Sequence, residues 1–443
     1  MQHCDTLIVP RWCVPVEPDG LVLEGYTVAV SEGRISAILP LEQAHAEYQP
    51  SVIIERPDHA LIPGLVNAHT HAAMTLFRGL ADDMPLEAWL HEGIWPAERR
   101  WVSAEMVRDG TELAIAEMIR SGITCFSDQY FYPEIVAEAA VDLSMRAVVA
   151  TPVVDFPTGW AKDANEYLQK AADLVHDPYA NHPLVTTAFA PHSTFALSDE
   201  SFAALRVLAD QLDVRVQIHL HETAAEVEIS LRETGKRPYE RLVDAGLVNR
   251  SLLAVHAVHL DDDEISRFSE AGVSIAHCPN SNLKLASGIA PIAKYRRAGL
   301  NIALGTDGAA SNNTLDMFAE MKTAALLAKA RADNASAVTA SEALHMATLG
   351  GARALGLEQS IGSIEAGKLA DLTCVNLGTL NSQPVYDVIS QLVYTARADQ
   401  VADVWIAGKH QLENGQFAQI DVDSVLDRCN EWRDRITETG EID

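Results

Sequence analysis

The sequence predicts an α/β protein, a (β/α)8 TIM barrel whose two chain ends build a second, smaller β-domain. Three observations carry that reading. Through the middle of the chain, apolar strand-like runs alternate with helical stretches, the pattern of a parallel sheet. Eight such strands can be counted. The polar residues with chemistry in them fall at the C-terminal ends of those runs, where such barrels carry their active sites.

Residues 1–62 read as short strands and turns. Runs 21–30 and 34–39 are joined by Ser31-Glu32-Gly33, a hairpin signal. Residues 63–362 make the barrel region, with strands at 60–69, 123–128, 147–155, 185–191, 214–219, 252–256, 273–277 and 301–307. Helices are expected between them at 104–120, 133–143, 199–212, 237–245 and 262–271, and after the last strand at 315–331 and 341–355. Residues 363–443 return to strand-like runs at 369–375, 392–394 and 401–407, with a turn at Gly408-Lys409. Strand-rich material at both ends predicts that the termini share one small domain.

Composition narrows the function. Of 443 residues, 48% are hydrophobic and 21% charged, a folded and soluble balance. The formal net charge of -29 argues against nucleic acid, whose binding needs Lys and Arg on the phosphates. Cys4, Cys13, Cys125, Cys278, Cys374 and Cys429 are scattered, with no Cys-x-x-Cys, as expected for reduced thiols in a cytosol. The first residues lack a basic segment followed by an apolar core, and no apolar run is long enough for a bilayer. A cytoplasmic protein with a small-molecule partner is expected. The helices after the eighth strand offer surface on which a homo-oligomer could form.

The apolar run Pro63-Gly64-Leu65-Val66-Asn67-Ala68-His69-Thr70-His71 ends in His-x-His. Strand side chains alternate, so His69 and His71 aim two imidazoles at one point. Imidazole suits zinc, iron and similar divalent ions. His219 ends the fifth strand and Asp307 the eighth. Singly, His219 reads equally well as a satisfied core histidine and Asp307 as a turn or helix cap. Together with the His-x-His they make a metal set. Three neutral imidazoles and a carboxylate leave a position for water, whose pKa a metal lowers from 15.7 towards about 7. Glu222, in His219-Leu220-His221-Glu222-Thr223, lies just past the fifth strand, where a carboxyl group can shuttle a proton to a ring nitrogen. On its own it would read as a loop charge. His256 ends the sixth strand and can orient the water, with His259 as its rival. The fourth strand ends in Ala190-Pro191-His192-Ser193-Thr194, without a lysine to bridge two metals. One divalent ion is expected.

Further motifs are Leu-Phe-Arg-Gly-Leu-Ala-Asp-Asp at 76–83, Pro-Asn-Ser-Asn-Leu-Lys-Leu at 279–285, Gly-Thr-Asp-Gly-Ala-Ala-Ser-Asn-Asn at 305–313 and Gly-Ser-Ile-Glu-Ala-Gly-Lys-Leu-Ala-Asp-Leu at 362–372. With the His-x-His and His-Leu-His-Glu-Thr runs, these make nearly the whole chain resemble the amidohydrolase superfamily. The likeness is greatest to the 5'-methylthioadenosine/S-adenosylhomocysteine deaminases in its branch of purine and nucleoside deaminases. The resemblance implies hydrolytic deamination of an adenine nucleoside at C6, giving the inosine analogue and ammonia. It implies that His69, His71, His219 and Asp307 hold the metal, usually zinc, and that the end domain is a β-sandwich. Glu222 would protonate purine N1. Asp307 would take the proton of the attacking water and relay it to the leaving amine, and His256 would support that water. Glu98 falls where the family binds ribose hydroxyls, and Arg146 and His192 at substrate-contacting positions. Without the resemblance, Glu98 reads as a surface charge, Arg146 as an ion-pair partner and His192 as a polar residue flanking a helix.

One departure bears on substrate. Members that handle S-adenosylhomocysteine well carry an arginine in the loop after the third strand. Here that loop is Asp155-Phe156-Pro157-Thr158-Gly159-Trp160-Ala161-Lys162-Asp163, without one. Lys162 lacks the planar fork of a guanidinium. Phe156 and Trp160 read equally as a wall for a methylthio group or as packing; on the first reading methylthioadenosine is the expected substrate, ahead of S-adenosylhomocysteine and adenosine. Alternatives in the same branch are a guanine or oxidised-guanine deaminase and a triazine-type hydrolase. A non-catalytic barrel scaffold would be expected to have lost the metal set. The segment 78–92 is a candidate lid.

Overall fold

The structure, a computed structural model, describes residues 1–438 of the chain. The N-terminal part supplies β1 (Gln2–Cys13), β2 (Leu23–Glu24), β3 (Tyr26–Ser31), β4 (Arg34–Pro40) and β5 (Tyr48–Pro63). The barrel strands are β6 (Leu65–Thr70), β7 (Ile123–Asp128), β8 (Arg146–Val153), β9 (Val185–Pro191), β10 (Arg215–Leu220), β11 (Leu252–His256), β12 (Ser274–His277) and β13 (Asn301–Leu304). β14 (Leu372–Asn376), β15 (Val401–Ile406), β16 (Lys409–Glu413) and β17 (Gln416–Phe417) follow.

β6 to β13 lie in sequence order in one eight-stranded sheet, and the pairs from β8 to β13 are parallel. Every residue of β6, β7 and β8 is buried, as in strands covered on both faces. The last strand reaches the first. The Asp307 amide, just past β13, donates to the His69 carbonyl at 3.0 Å. Gly305 makes this approach possible, because a Cβ there would stand 3.0 Å from both Cβ and N of His69.

The strands from the two ends form a nine-stranded mixed sheet, β17-β16-β15-β14-β5-β1-β3-β4, with β2 on β1. β5 runs parallel to β1 and antiparallel to β14, so the chain ends pair directly. Ile8, Val28, Ile35, Leu61, Leu372 and Trp405 are in its core. By compactness the chain divides into two units. One comprises residues 1–67, 117–125 and 316–420, and the other 68–116, 126–315 and the described part of 421–443. All the candidate site residues belong to the second.

Several elements depart from expectation. Residues 60–63 close β5, and Gly64 separates them from β6 because a Cβ there would meet Thr124 Oγ1 at 2.0 Å. The N-terminal strands are not all short, since β1 has 12 residues and β5 has 16. Residues 392–394 are not a strand. They finish the helix Val388–Tyr394, capped by Asp387 on the Ser390 amide, because three apolar residues carry no period that separates helix from strand. The tail ends in the helix Val422–Glu438, and the stretch 341–355 is two helices, Ala340–Met346 and Leu349–Leu355. Among the described residues no helix is long and apolar enough to cross a membrane, and the six cysteines are free.

Candidate active site

The strand ends converge as expected. His69 Nε2 lies 3.1 Å from His219 Nε2 and 3.5 Å from Asp307 Oδ1, and His71 Nε2 lies 3.1 Å from the same oxygen. The ring of His69 stands 4.8 Å from that of His71 and 4.9 Å from that of His219. His256 joins them. One ligand atom from each of His69, His219, His256 and Asp307 falls within 4.8 Å of all the others. His256 and Asp307 have φ of +67° and +62°, in the left-handed region, which turns each side chain back over the strand ends.

Backbone and side-chain acceptors fix the imidazoles. A carbonyl can only accept, so His71 Nδ1 must donate to Gln129 O (2.6 Å) and His219 Nδ1 to His192 O (2.8 Å). His256 Nδ1 is held the same way by Asn282 Oδ1 at 2.9 Å. With Nδ1 occupied, each of these rings directs Nε2 inward, the orientation a metal ligand needs. His69 Nδ1 is buried without a hydrogen-bond partner. Asp307 Oδ2 accepts from Ser281 (2.6 Å) and Ser311 (2.7 Å), which turns Oδ1 to the histidines. Behind them, Asp128 Oδ1 braces Thr70 Oγ1 (3.0 Å) and the Ala72 amide (2.5 Å) on either side of His71.

The electrostatics suit a cation. Burial drives His69 down to about 4 and holds His219 well below the ordinary histidine range. Burial also acts to lower His71, but hydrogen bonding and charge from Asp307 overcome it and raise the ring to about 9. Against burial, which acts to raise it, hydrogen bonds from His69 and His71 keep the Asp307 carboxyl well below its usual range. Burial keeps His69 and His219 neutral, while His71 holds its proton against Asp307 until a cation takes that proton's place; three imidazoles around one carboxylate oxygen are the donor set of a divalent nitrogen- and oxygen-loving ion.

Glu222 stands at the rim of this cluster. Ser287 Oγ donates to its Oε1 at 3.1 Å, and His256 Nε2 is 3.8 Å from its Oε2. Burial raises its pKa. The rival His259 points away, with Nε2 on Ser287 O at 2.8 Å. Glu98, on the helix Trp95–Trp101, accepts from Tyr130 Oη at 2.9 Å. Burial lifts its carboxyl to about 7, while the Tyr130 bond pulls the other way. The Tyr130 ring stands 6.4 Å from that of His71. His192 packs on His219 with ring centroids 4.9 Å apart.

Two expectations are corrected. Arg146 is not near this cluster. It opens β8, whose other end, Val153, takes the His192 amide at 3.2 Å, and its guanidinium donates to Pro183 O at 2.9 Å. Strand direction puts it at the N-terminal mouth of the barrel. Its position just ahead of a strand was the signal. Trp160 is packing, not a pocket wall: it is buried, donates Nε1 to both Glu134 oxygens at 3.0 Å and rests against Tyr167. Phe156 is exposed. Sequence reading missed Ser281, Asn282, Ser287, Ser311, Asp128 and Tyr130, which come from other helices, a strand end and loops and are joined to the site only by folding.

Comparison with known proteins agrees with this geometry. The profile described as the amidohydrolase family matches residues 60–410. A 5-methylthioadenosine/S-adenosylhomocysteine deaminase of Teredinibacter turnerae is 44% identical over 96% of each chain. A 5'-deoxyadenosine deaminase of Methanopyrus kandleri is 38% identical over 96% of this chain and 98% of its own. A zinc-bound adenosine deaminase from Xanthomonas campestris, known from its crystal structure, is similar at a TM-score of 0.98 and 50% identity over 99% of both chains. The chain belongs to the amidohydrolase family.

Proposed function

We propose that this chain is a zinc-dependent hydrolytic deaminase of adenine nucleosides, with 5'-methylthioadenosine its preferred substrate. The observation that carries the reading is the meeting of His69, His71, His219 and Asp307 beside a mostly covered glutamate, Glu222. The names of the relatives support it. His69, His71, His219 and Asp307 would hold the ion, which would supply a nucleophile at neutral pH by lowering the pKa of water. Glu222, whose pKa burial raises, is the group that delivers a proton to purine N1. Asp307 stays a carboxylate, receives the proton of the attacking water and passes it to the departing amine. His256, fixed by Asn282, orients the water, and His192 flanks the base. Glu98, set by Tyr130, binds the ribose hydroxyls.

The preference for methylthioadenosine rests on loop 155–163, which offers no guanidinium to an amino-acid carboxylate. The test is kcat/KM of the zinc-loaded enzyme on methylthioadenosine, S-adenosylhomocysteine, adenosine and guanine, followed by ammonia release. Methylthioadenosine should lead. Equal or better turnover of S-adenosylhomocysteine removes the preference, and turnover of guanine alone removes the role of Glu98. The free, mostly buried thiols fit an enzyme of a reducing compartment.

A further inference from the structure

The motifs at 76–83, 279–285 and 305–313 meet at one point outside the metal cluster. Lys284 Nζ donates to Asp82 Oδ1 at 2.6 Å, to Ala310 O at 3.0 Å and to Asn313 Oδ1. Asn313 Nδ2 donates to the other Asp82 oxygen at 3.1 Å, and Arg78 donates to the Asn313 carbonyl. Asn313 has φ +72°, a conformation that asparagine tolerates better than most residues, and it ends the short helix Ala309–Asn312. The helix Pro279–Lys284 contains Ser281 and Asn282, and Ala309–Asn312 contains Ser311. The two hydroxyls on Asp307 Oδ2 therefore come from the two helices that Lys284 ties together.

We propose that Lys284 is a positioning residue: it locks these two helices in the spacing that presents Asp307, and through Asp82 it fastens the segment leading to Glu98. The lysine touches neither the metal cluster nor Glu222, so it acts through Ser281, Ser311 and Asn282. Its two arms have separable consequences. The arm to Ala310 and Asn313 governs the carboxylate. The arm to Asp82 governs where the segment from Arg78 to Glu98 lies, and hence the ribose contact. This inference rests on the deaminase reading above, but half of its test does not.

The experiment compares Lys284→Met, Lys284→Arg and Asp82→Asn with the wild-type holoenzyme. Zinc retention is measured by chelator competition, kcat and KM on methylthioadenosine, and thermal midpoint alongside. Lys284→Met should lose zinc about tenfold more readily, with kcat lowered by a similar factor, the scale on which groups behind a metal ligand act. Lys284→Arg should recover part of both. Asp82→Asn should move KM more than kcat. Wild-type zinc retention and kcat in Lys284→Met would overturn the proposal, as would a drop in thermal midpoint alone. If Lys284→Met does not fold, Ser281→Ala carries the zinc measurement, with the same increased loss expected and wild-type retention overturning the proposal. Zinc retention needs no substrate. It judges the latch even if wild-type enzyme deaminates no adenine nucleoside, a result that would count against the functional reading instead.

Discussion

His71 and Glu98 both neighbour Tyr130, and they are held in different ways. His71 has Nδ1 on the Gln129 carbonyl and Nε2 on Asp307, and it directly follows a fully buried strand. Its ring has no free polar atom left to wander. Glu98 lies on a short helix, and its carboxyl accepts a hydrogen bond from Tyr130. The metal end of the site is set by strands closed into a ring, with partners behind every ligand but His69. The proposed sugar end, at Glu98, is carried by a short helix. A rigid end suits an ion with fixed geometry, and an end carried by loop segments suits a substrate that must enter and leave.

The largest effect should follow from disturbing the rigid end. On the proposed roles, Asp307→Asn removes both a ligand charge and the proton relay. It should abolish detectable zinc in the purified protein and cut kcat by more than the 10²–10⁴-fold typical of one lost acid–base group. Metal analysis and steady-state rates check this; retained zinc with near-normal kcat would mean that the ion is held elsewhere.

Glu222→Gln should come next. Glu222 is outside the ligand set, so zinc content should be unchanged while kcat falls by about 10²–10⁴-fold. If zinc is lost as well, Glu222 belongs to the metal end and the contrast between acid and ligand fails.

The smallest effect concerns the sugar end and pH. The Glu98 carboxyl titrates at about 7 because burial raises it. A ribose diol donates hydrogen bonds, so it prefers the carboxylate. KM for the nucleoside should therefore fall as pH rises from about 6 to about 8, by up to about tenfold, the value of roughly 1.4 kcal/mol in one charged hydrogen bond. Tyr130→Phe should move the midpoint upward, since the phenol holds the pKa down. A KM that does not change with pH would remove Glu98 from ribose binding.

Residue by residue, the legible parts were those with a short-range physical cause. His69 and His71 could be paired because strand side chains repeat every two residues. Glu222 was legible because it follows His219 within one turn of chain. Arg146 was misplaced, although a residue that opens a strand stands at the opposite mouth from those that end one. Ser281 and Ser311 could not be linked to Asp307 by any periodicity, since each reaches it from a separate helix.

By itself the sequence determined the alternation of strands and helices through the barrel region and which imidazoles and carboxylates lie at or just past its strand ends. These follow from alternation, burial and chain direction, which are local properties. Only the tertiary structure decided the tautomers of His71, His219 and His256, the rotation of Asp307, the raised carboxyl of Glu98 and the Lys284 latch. Each depends on a partner far along the chain, and hydrogen-bond direction and desolvation exist only once that partner has arrived.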